Sequence, residues 1–250
     1  MKWKAISGLL LVVVLNSSVI SGAEISPALA SFDEHVAQSR RVVRDYCAMV
    51  QQMAMTADID RIQQEQALKL LQEAKEKWQA VMERYSANPP AEYAGDRQFK
   101  ARLKDFDNAL DDMERALAAG QSRRSMLACG FGCGLFVKLH EDNGLSYALD
   151  KLFHLRQTAK TAESVMKAGG LESLRNLLPV LMERRDQVLL SPAPWPVNDE
   201  RSNPYAEAVQ ELSRTIDDLT LAVSNGDGIR TSDILQSLVV RINRPYTLAL

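Results

Sequence analysis

Residues 108–120 read NALDDMERALAAG, and residues 214–226 read RTIDDLTLAVSNG. In the first segment Leu110, Met113 and Leu117 recur at three- and four-residue steps, the spacing that lines side chains along one face of an α-helix. Phe99, Leu103 and Phe106 extend the stripe backwards, so the spacing predicts a helix over about 97–119 that ends at Gly120. The second segment repeats the Asp-Asp pair, the apolar residue after it and the terminal glycine at a constant offset of 106. Each is preceded by a proline-bearing loop and a pair of predicted helices, which points to a duplicated unit.

The same periodicity covers the rest of the chain. A helix is predicted from Ser26-Pro27 to about Met53, with Ser26 as cap and Pro27 at the first helical position. A second follows Thr56–Asp60 and stops before Asn88-Pro89-Pro90, because a residue ahead of proline is pushed out of the helical region. A fourth, about 122–141, closes at Asn143-Gly144. Beyond it, helices are predicted over 146–167, 171–190, 204–223 and 231–243, with a break at Gly169-Gly170, a kink at Pro179 and a stop before Arg244-Pro245. Each helix has one apolar stripe that only its neighbours can cover. The expected fold is therefore all-α: antiparallel helical bundles, as two tandem four-helix units at 24–144 and 145–250.

Residues 1–23 read as a signal peptide. Lys2 and Lys4 precede a short apolar run from Ile6 to Leu15, and Ser21-Gly22-Ala23 offers small residues for cleavage. Asn16, Ser17 and Ser18 leave that run shorter than a bilayer span, and no later segment is apolar enough to serve as one. The expected location is periplasmic or secreted. The formal net charge of -2 becomes more acidic once the leader lysines go, which gives no electrostatic reason to expect nucleic acid.

One stretch looks like a site. Residues 126–140, MLACGFGCGLFVKLH, hold two of the three cysteines and one of the three histidines. On a helix Cys129, Cys133, Phe136 and His140 fall within about 60° of one another, with Met126 at the edge. As thiolates, Cys129 and Cys133 could share a soft metal ion with His140, with copper and zinc as the fitting ions. In an up-down-up-down bundle the first and fourth helices are adjacent, which sets His35 level with His140 and Cys47 level with Cys129. An exported chain meets an oxidising compartment, and a Cys47–Cys129 disulfide is the simplest use of the thiols; it leaves Cys133 free.

The helical architecture and the Cys129-to-Gly134 segment resemble the four-helix-bundle cytochromes of the c-prime and b-type kind. That resemblance implies haem near Cys129, Cys133, His140, Met126 and His35. The c-prime attachment pattern is Cys-x-x-Cys-His; here the cysteines are one residue further apart and Gly134 stands where the histidine belongs. No phosphate loop, zinc-hydrolase pattern or serine-centred motif is present. The expected function is non-catalytic binding or scaffolding, with a periplasmic protein or small ligand as partner. The alternative is a redox or metal- or haem-binding protein built on the Cys129/Cys133/His140 face.

Overall fold

The computed structural model describes residues 26–56, 60–196 and 198–250, and the predicted signal peptide lies outside them. Among the described residues the chain is all-helical. Its elements are α1 (Pro27–Met53), α2 (Arg61–Tyr85), a 3-10 turn (Ala91–Tyr93), α3 (Phe99–Ala118), α4 (Ser122–Asp142), α5 (Ala148–Leu190), α6 (Ser202–Ser224) and α7 (Gly228–Leu248). Side-chain caps fix several starts: Ser26 accepts from the Leu29 amide at 3.1 Å, and Asp60 from that of Ile62 at 2.9 Å. Each satisfies an amide that the first helical turn leaves without a carbonyl.

In the first unit α1 packs on α2, α2 on α3, α3 on α4, and α4 closes the ring against α1. Its centre is aromatic: Trp78 meets Phe106 at 4.4 Å between ring centroids, and Phe106 meets Phe136 at 4.8 Å. In the second unit α5 is assigned as one element, but Gly170 inside it has φ 67° and ψ -163°. Glycine adopts that conformation without steric cost. Contacts on either side of Gly170 place the arms 148–169 and 171–190 antiparallel. Arg156 of the first arm reaches Asn243, whereas Arg175, just past the turn, reaches the Val223 carbonyl. Trp195, beyond the second arm, donates to the Leu248 carbonyl at 2.8 Å and so is back at the end of α7 near which the first arm began. The two arms with α6 and α7 form a second up-down-up-down array.

Two expectations are corrected. The predicted kink at Pro179 is absent from the backbone angles, since Gly170 is the one residue of α5 outside the helical region. The last helix does not stop before Arg244-Pro245 but runs on to Leu248. Continuing buries Tyr246 and Leu250, and the Ala249 amide bonds to the Pro245 carbonyl at 2.9 Å; that burial outweighs the hydrogen bond proline removes.

The 106-residue offset has a three-dimensional counterpart. Phe99 and Tyr205, Phe106 and Leu212, Leu110 and Ile216, Met113 and Leu219, and Leu117 and Val223 are buried pairwise. So, along α4 and α7, are Cys129 and Leu235, Phe136 and Ile242, and His140 and Tyr246. Gly120 and Gly226 both have φ 72°, and the next amide in each case bonds five residues back, Gln121 to Ala116 and Asp227 to Ala222. This is the glycine-ended helix stop that satisfies otherwise orphaned carbonyls.

Candidate functional site

The residues of 126–140 occupy α4, the helix that borders both cores. Phe136 and Leu139 belong to the first buried cluster, Val137 to the second, and Cys133 packs against the edge of the second. The thiols divide along the same line. Cys129 is buried in the first core at disulfide distance from Cys47, with Cα atoms 6.1 Å apart. Cys133 is a free, half-buried thiol one turn further on. The pairing follows from the adjacency of α1 and α4 and from Cys47 and Cys129 lying at one height.

The remaining predicted ligands do not join them. Met126 is 38% exposed. His35 turns toward α2, within 3.2 Å of the Tyr85 hydroxyl and 3.3 Å of Arg84, on the flank of α1 away from α4. Among the described residues no three His, Cys, Asp or Glu side chains converge as a metal site. The glycines of this stretch have a packing cause at one position. A Cβ on Gly132 would stand 3.2 Å from Phe106, so its absence lets α3 and α4 approach.

His140 does find a partner, though not a metal ligand. Its Nδ1 lies 2.9 Å from the Asp150 carboxylate on α5, and both side chains are almost fully buried, at 6% and 1% exposure. The ring of Tyr147 lies 4.4 Å from the imidazole, and the Tyr147 hydroxyl donates to Asp33 of α1 at 2.8 Å. Burial pushes the Asp33 carboxyl above its usual range, although the Tyr147 hydroxyl, His140 and Arg40 pull it back. Burial and the negative charge of Asp33 push the Tyr147 phenol upward in turn. Tyr93 is wholly buried beside this group, its hydroxyl without a partner among the described residues.

A second knot lies further along the joint. Arg40 of α1, 8% exposed, donates to the Tyr246 hydroxyl at 3.1 Å and stacks 4.8 Å over Phe136. Arg156 sits 4.7 Å over the other aromatic partner, Tyr246, whose phenol is pushed up to about 12 mainly by burial. Arg41 donates to the Leu250 carbonyl at 2.9 Å.

Sequence reasoning missed this joint, yet a signal was present. Arg40 stands in the apolar stripe of Val36, Ser39 and Val43, and Asp150 stands between Leu149 and Leu152. A charge at a core position of a helical pattern implies a buried partner. Chemically, His140 and Asp150 make an oriented imidazole. Nucleophilic catalysis would need a hydroxyl or thiol on the other ring nitrogen, and none is bonded there among the described residues.

No family model, curated protein or solved structure matches this chain.

Cofactors in helical bundles lie in the core between facing helices, and here Trp78, Phe106 and Phe136 fill that space in the first unit. With Cys129 paired to Cys47, only Cys133 of the two α4 cysteines keeps a thiol for haem attachment.

Proposed function

We propose that this chain is an exported, non-catalytic helical scaffold or binding protein, made of two duplicated four-helix units that act as one body in the periplasm or outside the cell. The observation that carries this reading is where the buried charge goes. Asp33, Arg40, His140 and Asp150 all serve contacts between elements at the joint, and the last three are almost fully buried there. Buried side chains paired across the joint favour one relative geometry, because any other leaves them unpaired at a cost of several kcal/mol, roughly. A fixed geometry is what a protein needs to present helical faces to a partner. The duplication is supported by the pairwise burial at the 106-residue offset, and export by Lys2, Lys4, Ile6–Leu15 and Ser21-Gly22-Ala23.

The test is the protein recovered from the exported fraction of its own host. The expected chain starts at Glu24, titrates one thiol before reduction and three after, and has no Soret band and no stoichiometric copper or zinc. A Soret band, or one copper or zinc ion per chain, would replace the binding reading with the metal or haem reading. A chain retained in the membrane with residues 1–23 attached would remove export.

A further inference from the structure

The outward face of α4 is not explained by either core. Leu127 is 72% exposed and Phe131, one turn on, is 58% exposed. Gly130 beside them leaves a gap in which a Cβ would meet nothing within 4 Å. Arg123 and Arg124, in the first turn of this helix, are exposed and have no carboxylate partner among the described residues. Cations at a helix N-terminus oppose its dipole, and α4 has no acidic residue in that turn to offset them. The second unit supplies a control. At the 106-residue offset Leu127 and Phe131 correspond to Asp233 and Ser237 of α7, while the buried positions of the two helices match. The bundle thus tolerates polar residues at these positions, and packing does not call for two large apolar ones.

We propose that Arg123, Arg124, Leu127 and Phe131 form a docking strip for an acidic amphipathic helix of another protein. This rests on the binding reading above and assigns it a surface and a partner chemistry. A facing helix seats its apolar ridge beside Leu127 and Phe131, in the gap at Gly130, and its carboxylates meet the two arginines and the amides at the start of α4. A second copy fits less well, because the strip carries no carboxylate and an α4–α4 contact sets like charges together. An anionic bilayer would want a broad apolar face, whereas α4 turns its other sides into two protein cores.

The test places a photoreactive phenylalanine analogue at position 131 of the full chain in its own host, with position 237 as control. The cross-linked segment is sequenced, and its synthetic peptide is titrated against the mature protein by fluorescence anisotropy. The expected result is an adduct at 131 and not at 237, to a segment with carboxylates flanking apolar residues at helical spacing. Arg123→Glu/Arg124→Glu should weaken that peptide at least tenfold, as should Leu127→Ser/Phe131→Ser, which copies the polarity of α7 and leaves the core intact. An adduct to a second copy, to lipid or to a segment without acidic residues overturns the strip, as does no adduct at 131 in a folded protein. Adducts from an analogue at Leu189 or Val240 instead would overturn the strip yet keep the binding reading; a bound haem or metal would overturn that reading itself.

Discussion

Gly132 and Phe106 make one packing unit, as the second half of the chain makes visible. At the 106-residue offset stand Leu238 and Leu212, so the first half sets a large ring against no side chain where the second has two leucines. Gly132→Leu alone forces atoms into the Phe106 ring, and overpacking of this kind costs roughly 1–3 kcal/mol, less about 1 from better helix propensity. The expected outcome in urea denaturation is a net loss for Gly132→Leu that shrinks or reverses when Phe106→Leu is added. Asp33 offers a different test. Its folded carboxyl holds a proton more tightly than the unfolded one, so stability from this group falls as pH rises from about 4 toward the raised folded value. Asp33→Asn keeps an acceptor for Tyr147 and removes the buried charge. It should gain stability at pH 7, and the gain should vanish below about pH 4, where the wild-type carboxyl is neutral in both states.

Among the elements, α1 and α4 are the first and last helices of their ring, and Cys47–Cys129 ties them across 82 residues of sequence. In the loop-entropy account a closed loop of that length contributes about 4–5 kcal/mol at most. Cys47→Ala/Cys129→Ala should therefore lower the denaturation midpoint by far more than Cys133→Ser, whose thiol only edges the second core. Equal shifts from the two variants would mean that α1 and α4 are held by packing alone. At the 106-residue offset from Cys129, α7 carries Leu235, buried to 1% exposure.

For the whole molecule, the question is whether two cores unfold as one. α4 contributes to both, and Arg40, Arg41 and Tyr147 cross between them. In a chain that starts at Glu24, Trp195→Phe leaves Trp78, in the first core, as the reporter, so its fluorescence and the far-UV circular dichroism can be compared. Coincident transitions are expected. Tyr246→Phe leaves the buried Arg40 guanidinium without its acceptor, a loss of about 1.5–3 kcal/mol, and Arg40→Met in the same chain should recover most of it. Separate transitions in the wild-type protein would show that the joint does not couple the units.

The helices themselves were determined locally. Apolar side chains at three- and four-residue steps, Ser26-Pro27, Gly120 and Asn143-Gly144 fix where most of them run, because those signals act within a turn or two of backbone. The Cys47–Cys129 pairing was also readable, since bundle topology sets helix heights. The partners of His140, Arg40 and Asp33 were not. A helical period states that a position is inward but not which distant element it meets, so Asp150, Tyr246 and Tyr147 became visible as partners only once two bundles were packed against each other. The outward side of α4 belongs to the same class: Leu127 and Phe131 look like any other apolar pair in the sequence, and only the finished packing of both cores leaves them facing water.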